Sequence, residues 1–258
     1  MSSFPPAVQA GIEFAAELLG SAKRAVVLTG AGLSTPSGIP DFRSEGTGLW
    51  SEDEALEVAS LSTFRAHPER FYAWFRPLAA QILGARPNEA HQALAALERR
   101  GQLQSIATQN VDTLHQKAGT REVIEIHGTI ATLTCTQCFQ KVDAPPYLAP
   151  FVERGVVPVC RQCGAVLKPD VILFGEQLPQ AAWLRAQGAC RSCDLMIVAG
   201  CSLEVLPVAG LPMQALDCGA HLLIINNRPT YLDARADACL EGDVAQILPA
   251  IAQKVIHG

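Results

Sequence analysis

No hydrophobic run in this sequence approaches the roughly 20 residues that a membrane-spanning helix needs. The first residues, MSSFPPAVQAG, lack the basic and apolar segments of a secretory signal, so we expect a cytoplasmic protein. Basic stretches are also lacking and the net charge is −5, which argues against nucleic acid or an anionic membrane as the main partner. Charged residues are few, at 17%, whereas hydrophobic residues make up 49%, which indicates a folded globular protein and not a disordered one.

A loop of small residues follows the first predicted strand, residues 25–28. It contains Gly30, Gly32 and Gly38 among serines and threonines, and such a loop after a buried strand can bring backbone N–H groups to a phosphate. The dinucleotide-binding pattern G-x-G-x-x-G is incomplete, because Thr35 stands at the third glycine position. A strand ending in an acidic residue about 20 positions later is lacking as well. The loop alone is therefore weak support for a nucleotide site.

Five short apolar segments alternate with helical patterns and are predicted to be strands. They cover residues 25–28, 103–107, 123–126, 194–199 and 221–225. This alternation predicts an α/β fold with a doubly wound, Rossmann-like parallel sheet. Each segment is followed by polar or glycine-containing residues (TGAG, TQNVD, HG, GCS and NN), which parallel strands bring to one edge of the sheet. Since α/β proteins bind ligands at that edge, the sequence favours a nucleotide crevice there.

Two insertions interrupt this alternation and predict a smaller domain. Residues 45–87 are irregularly helical and rich in aromatic residues, which we expect to form a core. Residues 129–167 carry two Cys-x-x-Cys pairs and form a second module of the small domain. The remaining residues, 1–44, 88–128 and 168–258, are predicted to form the Rossmann-like domain.

The two Cys-x-x-Cys pairs are separated by 21 residues. Their members are Cys135, Cys138, Cys160 and Cys163. At this spacing four thiolates can surround one tetrahedral ion, and zinc is the expected metal; four reduced thiols without a metal are the alternative. Four protein ligands leave no position for water or substrate, so the zinc would be structural. Cys190 and Cys193 have no second pair, and packing explains them better than redox chemistry.

Polar side chains at the predicted strand ends and in the glycine loop are the candidate catalytic residues. They are Arg43, Gln109, Asn110, Asp112 and His127. A histidine at a strand end can present a ring nitrogen to a ligand near neutral pH, although a lone histidine is more often structural. No Ser-His-Asp or Cys-His pattern can be assigned, and a zinc ion with four protein ligands disfavours hydrolysis by metal-bound water.

Several long segments, taken in order, resemble the sirtuins, the NAD-dependent protein-lysine deacylases. They are GAGLSTPSGIPDFRS (residues 30–44), TQNVDTLH (108–115), the pair His127-Gly128, the four-cysteine module, LKPDVILFGE (167–176), GCSLEV (200–205) and Asn226. The resemblance covers nearly the whole chain. It implies a Rossmann-like domain and a small domain with a structural zinc ion, and it places the co-substrate NAD between the two.

The resemblance also implies roles for individual residues. The phosphate loop would be lined by Gly30, Ala31, Gly32 and Ser34, with Arg43 at a phosphate or ribose. The nicotinamide pocket would contain Ile39, Asp41, Phe42, Asn110 and Asp112, with Gln109 at the ribose. The adenosine half would contact Gly200, Ser202, Asn226 and the backbone of Val244. The acyl-lysine peptide would pair as a strand with residues 171–175 and 202–205, at Val171, Phe174, Gly175, Leu203 and Val205.

In the implied reaction, the acyl oxygen of the modified lysine displaces nicotinamide from the ribose, so no protein nucleophile is required. His127 would act as general base on a ribose hydroxyl that attacks the acyl carbon, and Asn110 would orient the ribose. Water would complete the reaction, and the products would be nicotinamide, O-acyl-ADP-ribose and free lysine. Sirtuins that prefer acidic acyl groups carry Tyr and Arg three positions apart, whereas Tyr72 is followed here by Phe75. An uncharged acyl group such as acetyl is therefore expected, unless Arg76 takes the place of that arginine.

Two other functions remain open from the sequence. Mono-ADP-ribosyl transfer to a protein side chain would use the same NAD site. A non-catalytic NAD-sensing or zinc-ribbon interaction module belongs to another class, and the intact set of Arg43, Asn110, Asp112 and His127 disfavours it. The protein targets and the oligomeric state cannot be read from the sequence.

Overall fold

The computed structural model describes residues 4–40 and 56–257, and it contains nine strands in these ranges. They are β1 (Ala25–Thr29), β2 (Ser105–Thr108), β3 (Val123–Glu125), β4 (Gly128–Cys135), β5 (Lys141–Asp143), β6 (Leu167–Val171), β7 (Leu195–Ala199), β8 (His221–Asn226) and β9 (Ala238–Glu241). Six of them form a parallel sheet in the order β3-β2-β1-β7-β8-β9. The predicted parallel sheet is confirmed, but the sequence missed the edge strand β9, in which only Leu240 is buried.

Helices cover both faces of this sheet. Nine α-helices lie wholly within the described ranges: α1 (Pro6–Ser21), α2 (Leu61–Ala66), α3 (Pro68–Gly84), α4 (Glu89–Arg99), α5 (Leu114–Lys117), α6 (Pro145–Arg154), α7 (Gln180–Ser192), α8 (Leu211–Asp217) and α9 (Val244–His257). On β1, Ala25 and Val27 pack with α1, α4 and α9, while Val26 and Leu28 pack with α7 and α8. The doubly wound arrangement is therefore confirmed. Within the described ranges, no helix has both the length and the apolar character that a membrane crossing requires.

Asn88 caps helix α4. Its side-chain oxygen accepts hydrogen bonds from the N–H groups of Ala90 and His91, which would otherwise lack partners in the first turn. Its side-chain nitrogen donates to the carbonyl of Leu33 at 2.8 Å and to the hydroxyl of Ser37 at 3.0 Å. One side chain therefore both begins the helix and holds the glycine loop above it.

The remaining strands, β4, β5 and β6, form an antiparallel sheet in the order β5-β4-β6. This sheet shares one core with helices α2, α3 and α6, and the aromatic residues of the helical insertion are buried in it, as predicted. They include Phe64, Phe71, Tyr72, Trp74 and Phe75. Strand β6 pairs with β4 and not with the parallel sheet, so it is part of the antiparallel sheet. Most of this strand nevertheless lies in the range 168–258, which was assigned to the large domain. The division into domains otherwise stays a prediction.

Cys190 and Cys193 lie at the end of α7, within the core between that helix and the parallel sheet. Their side chains are buried, and burial raises the pKa of Cys190 to about 12 and that of Cys193 to about 11. Thiols with raised pKa values are poor nucleophiles and poor redox centres. The structure thus agrees with a packing role for this pair.

Candidate functional site

The loop after β1 lies against the carboxyl end of β7. The Gly32 N–H donates to the Gly200 carbonyl at 2.9 Å, and the loop forms two 3-10 turns, Ala31–Leu33 and Thr35–Ser37. A Cβ atom on Gly30 or Gly32 would come within 2.9 Å of the Gly200 oxygen, so these two positions require glycine. Thr35 merely begins the second turn, which explains why the third glycine of the dinucleotide pattern is dispensable here.

Ser34, Asn110 and Asp112 meet beneath this loop and form a buried polar cluster. The Asn110 side-chain amide donates to the Gly30 carbonyl at 2.9 Å and to the Ser34 hydroxyl at 3.0 Å. The Ser34 hydroxyl donates in turn to the Asp112 carboxylate at 2.7 Å. The other carboxylate oxygen of Asp112 accepts from the Leu114 N–H at 2.8 Å. The structure therefore brings together three residues that the sequence predicted at one site.

Gln109 links the ends of β2 and β7. Its backbone N–H donates to the Thr29 carbonyl at 3.0 Å, and its side-chain amide donates to the sulfur of Cys201 at 2.9 Å. Cys201 is only 4% exposed, so its small side chain fills the space between the two strand ends. The amide of Gln109 is thus held at the edge of the crevice, where the ribose contact was predicted.

His127 is half-buried at the junction between the two sheets. Its carbonyl accepts a hydrogen bond from the Ile172 N–H at 2.8 Å. Gly128 follows with a φ of 77°, and a Cβ atom there would lie 1.9 Å from the Asp170 carbonyl oxygen, so only glycine permits this crossing. Burial lowers the pKa of His127 below its ordinary 6.5, and a hydrogen bond with the Gln109 backbone opposes this shift. The imidazole is therefore neutral at pH 7, as a general base must be.

The ends of β7 and β8 form the other half of the crevice. The Gly200 N–H donates to the Ile225 carbonyl at 2.9 Å, and Ser202 is half-buried two residues further on. The Asn226 side-chain amide donates to the Arg228 carbonyl at 2.8 Å. Val244 begins α9 with its side chain buried in the core, so a contact with a ligand would have to come from its backbone. These positions are compatible with the predicted adenosine site.

The segment predicted to pair with the acyl-lysine peptide is already engaged at Phe174. The Phe174 N–H donates to the Ala59 carbonyl, and its carbonyl accepts from the Leu61 N–H, both at 2.9 Å. The Phe174 backbone is therefore already paired at both its N–H and its carbonyl, and its pairing with a peptide strand stays a prediction. The Phe174 side chain is 52% exposed and remains open to side-chain contact.

On the opposite side of the predicted peptide groove, the Leu203 side chain belongs to the protein core, whereas Val205 is half-buried. On the Val171 side, the Val171 carbonyl accepts from the Lys168 ammonium group at 2.8 Å. Pairing of a peptide strand with the backbone at Val171, Phe174, Gly175, Leu203 and Val205 stays a prediction.

The four predicted metal ligands come together. Their sulfur atoms lie within 4.8 Å of one another, with 3.4 Å between Cys135 and Cys163 and 3.7 Å between Cys138 and Cys160. A tetrahedral zinc ion with Zn–S bonds of about 2.3 Å would separate its sulfur ligands by about 3.8 Å. The N–H groups of Cys138 and Gln137 point at the Cys135 sulfur and lower the pKa of that thiol to about 6, which favours the thiolate that binds metal. The residues fit one zinc ion.

Three predicted site residues, Asp41, Phe42 and Arg43, lie outside the described residues. Ile39 is described, and it is 8% exposed within the core of the small sheet and its helices. Its N–H donates to the Ser34 carbonyl at 3.4 Å, which ties it to the polar cluster. A role of Ile39 at the nicotinamide stays a prediction.

A buried network beneath the cluster escaped the sequence analysis. Thr29 donates its hydroxyl proton to the Thr108 hydroxyl at 2.8 Å, and the His115 Nε2 atom lies 3.0 Å from the Thr29 hydroxyl. The His91 and His115 rings are 4.9 Å apart, and both side chains are at most 1% exposed. The available signal was a threonine directly after each of two predicted strands, residues 25–28 and 103–107.

The fold and the polar cluster define a Rossmann-like nucleotide-binding protein with a half-buried histidine at its crevice and a separate four-cysteine metal site. A model of the Sir2 family matches residues 30–207, and this chain belongs to that family. The Archaeoglobus fulgidus protein named NAD-dependent protein deacylase 2 is 42% identical over 245 residues, which make up 95% of this chain and 96% of that protein.

Solved structures lead to the same family. A complex of a SIR2 homolog with NAD has a TM-score of 0.86 and 37% identity, over 95% of this chain and 93% of that chain. A Sir2 variant solved with a deacetylated peptide and 3′-O-acetyl ADP-ribose has a TM-score of 0.87 and 37% identity, over 94% of this chain and 98% of that chain.

Proposed function

We propose that this chain is an NAD-dependent protein-lysine deacylase that releases nicotinamide, O-acyl-ADP-ribose and free lysine. The observation that carries the proposal is the cluster of Ser34, Asn110 and Asp112, which is connected through Gln109 to the neutral His127. A relative of this chain is named a deacylase, and related structures contain NAD or an acetylated ADP-ribose.

His127 is the proposed general base. Its half-buried ring is neutral at pH 7 and can take the proton of a ribose hydroxyl, which then attacks the acyl carbon. Before that step the acyl oxygen displaces nicotinamide from the ribose, so the site needs no protein nucleophile. Water completes the release of lysine and O-acyl-ADP-ribose.

Asn110 and Asp112 are the proposed orienting residues. The two hydrogen bonds that the Asn110 amide donates fix its plane at the edge of the crevice, where it can orient the ribose with Gln109. The Asp112 carboxylate is held by Ser34 and by the Leu114 N–H. A carboxylate has about four acceptor positions, so Asp112 retains the capacity to bind the carboxamide of nicotinamide.

NAD would extend along the edge where the strands of the parallel sheet end. The predicted phosphate contacts are Gly30, Ala31, Gly32 and Ser34. Ala31 begins a 3-10 turn, so its N–H group has no acceptor within that turn and is available to a phosphate oxygen. Gly200, Ser202, Asn226 and the Val244 backbone would hold the adenosine half. Ile39, Asp41, Phe42 and Arg43 are proposed to complete the nicotinamide end.

The zinc ion would be structural. Four cysteine ligands complete a tetrahedral coordination sphere and leave no position for substrate or water. The sheet that carries these cysteines shares its core with α2, α3 and α6, so the metal stabilises the small unit against which NAD and the peptide would bind.

Acetyl or another uncharged acyl group is the proposed substrate. The Tyr72 hydroxyl is buried and donates to the Leu167 carbonyl. The Arg76 guanidinium donates to the carbonyls of Val152 and Glu153, both at 2.9 Å, at the end of α6. Both side chains make hydrogen bonds to backbone carbonyls of the small antiparallel sheet and its helices. Neither is therefore available to bind a carboxylate on the acyl group.

The substrates are proposed to be acyl-lysine proteins, which would bind between residues 171–175 and residues 202–205. With a net charge of −5, the chain gives no reason to propose nucleic acid or membrane partners. We also propose a cytoplasmic location, because a reducing compartment favours free cysteines over disulfides.

The test is an NAD-dependent assay on acetyl-, propionyl- and succinyl-lysine peptides, with products identified by mass. Equal amounts of nicotinamide, free lysine peptide and O-acyl-ADP-ribose support deacylation. ADP-ribose attached to the peptide would indicate mono-ADP-ribosyl transfer instead, and no nicotinamide from any peptide would favour a non-catalytic NAD-binding module.

His127→Ala should bind NAD but lose roughly 10²–10⁴-fold in rate. The exposed residue His67 offers the matched control His67→Ala, which should keep full activity.

A further inference from the structure

Thr29 and Thr108 end neighbouring parallel strands and lie opposite each other in register. Their side chains share a face with Ala25 and Val27, which point into the core under α1, α4 and α9. Thr29 is 0% exposed and Thr108 is 2% exposed. A buried hydroxyl is costly unless it is hydrogen-bonded, so both hydroxyls require partners inside the protein.

These partners form a chain that reaches the proposed active site. The Thr29 hydroxyl donates to the Thr108 hydroxyl at 2.8 Å, and the Asn110 N–H donates to the same Thr108 oxygen at 3.0 Å. Because Thr29 has given its only proton to Thr108, it presents a lone pair to His115, 3.0 Å away. His115 must therefore carry its proton on Nε2 and donate it to Thr29. Burial lowers the pKa of His115 to about 3, so the ring is neutral at physiological pH.

We propose that Thr29 and His115 are positioning residues, which hold the backbone of Asn110 through the Thr108 hydroxyl. The side chain of Asn110 is fixed separately by the Gly30 carbonyl and the Ser34 hydroxyl. The backbone and the side chain of Asn110 are thus held by separate hydrogen bonds. Together these bonds define the position of the Asn110 side-chain amide relative to the ribose. The inference rests on the proposed function, in which Asn110 orients the ribose. Displacement of an orienting group by about 1 Å can cost on the order of 100-fold in rate.

The experiment compares Thr29→Val with Thr29→Ser. Valine keeps the shape but removes the hydroxyl, whereas serine keeps the hydroxyl and loses a methyl group. We expect Thr29→Val to lower kcat for deacetylation by roughly 10- to 100-fold with little change in KM for the peptide. Thr29→Ser should restore most of the rate. Equal kcat values for the two variants would overturn the proposal, since the hydroxyl would then have no part in positioning.

Thr120 supplies a matched control. It is 5% exposed, and its hydroxyl has no hydrogen-bond partner among the described residues. The Thr120 N–H donates to the His115 carbonyl at 3.1 Å, and valine keeps that contact. Thr120→Val is therefore the same substitution at a buried hydroxyl that takes no part in the chain of hydrogen bonds, and we expect kcat to be unchanged. An equal loss of kcat in Thr120→Val would mean that any buried Thr→Val substitution disturbs the enzyme, and would contradict a specific role for Thr29.

Two NMR measurements on the unmodified protein require neither folding of a variant nor turnover. The Asn110 amide proton should exchange slowly with solvent, and the His115 nitrogen shifts should show a neutral ring protonated at Nε2. Rapid exchange at Asn110, or a proton on Nδ1 of His115, would overturn the proposal. If the acyl-peptide assay is negative but both signatures are present, the proposed function fails while the hydrogen-bond chain stands.

Discussion

The Ser34 hydroxyl donates a hydrogen bond of 2.7 Å to the Asp112 carboxylate and thereby joins the glycine loop to the segment after β2. Both side chains are almost fully buried, at 1% and 4% exposure. Hydrogen bonds to an ionised acceptor are about twice as strong as those between neutral groups, so this contact gives the loop a defined position. The same contact aligns Asn110, whose amide donates to the Ser34 oxygen.

Replacing Asp112 with asparagine tests this contact. The variant Asp112→Asn turns one acceptor into an NH₂ group, so either Ser34 or the Leu114 N–H loses its acceptor. We expect the free energy of unfolding to fall by about 1.5–3 kcal/mol and NAD affinity to fall by about tenfold or more. Urea denaturation and calorimetric titration measure the two effects.

Asp170 provides the control for that variant, because its carboxylate accepts from Thr132 and Thr134 within the antiparallel sheet. We expect Asp170→Asn to lose stability but to keep NAD affinity. A similar loss of affinity in both variants would contradict a local role for Asp112.

The rate of deacylation should depend on pH through His127. Burial lowers the pKa of His127 below 6.5, and a general base works only in its neutral form. As pH falls through this lowered pKa the ring becomes protonated, so the midpoint of the acid limb of kcat/KM should lie below pH 6.5. The measurement is kcat/KM for an acetyl-lysine peptide from about pH 5 to about pH 8. An acid limb centred above pH 6.5 would contradict the prediction.

The buried pair His91 and His115 should make the fold sensitive to acid. Burial lowers the pKa of His91 to about 4 and that of His115 to about 3, against about 6.5 in the unfolded chain. Between these values the unfolded chain binds protons that the folded protein excludes, so stability is lost as pH falls below 6.5. Each histidine should contribute about 1.4 kcal/mol per pH unit within this window.

Urea denaturation at about pH 7 and about pH 5 measures this dependence. His91→Gln should reduce the slope by the contribution of one histidine, and His257→Gln, at an exposed position near the end of α9, should leave it unchanged. The prediction is wrong if the slope is the same in His91→Gln and in the unmodified protein.

Loss of one metal ligand should unfold the antiparallel sheet and the helices that share its core, α2, α3 and α6. In Cys138→Ser the thiolate set that fits zinc is incomplete, and loss of a structural metal is among the largest single effects on stability. We expect bound zinc to fall from about one equivalent to near zero and the free energy of unfolding to fall by about 4 kcal/mol or more. Elemental analysis and thermal unfolding check both. Cys239→Ser, at an exposed cysteine, should retain zinc and stability.

We expect Arg76 to stabilise the folded protein and not to determine which acyl group the enzyme removes. Removing its side chain in Arg76→Ala abolishes the hydrogen bonds to Val152 and Glu153, which should cost about 1–2 kcal/mol in stability. The ratio of acetyl- to succinyl-lysine turnover should stay the same, which a competition assay measures. Arg70→Ala, which breaks only an exposed pair with Glu57, should cost no more than about 1 kcal/mol. A selective loss of succinyl-lysine turnover in Arg76→Ala would contradict this reading.

Local spacing was enough to predict much of this protein from its sequence. The two Cys-x-x-Cys pairs predicted one metal site, because ligand spacing in a short module limits which atoms can meet. The apolar segments ending in polar residues predicted the parallel sheet and the edge at which Ser34, Asn110 and Asp112 converge. The short strand β9 was missed because only one of its residues is buried, so it shows no clear periodicity.

Contacts between distant parts of the chain were decided by the tertiary structure alone. The sequence could not show that Arg76 binds the end of α6, that the Phe174 backbone is occupied by residues 59–61, or that His115 reaches Thr29. Each of these depends on the register and direction of elements that are far apart in the chain, which periodicity within one element does not encode. Local chemistry therefore determined which residues form the candidate site, and long-range packing decided which of their hydrogen-bonding groups remain available to a ligand.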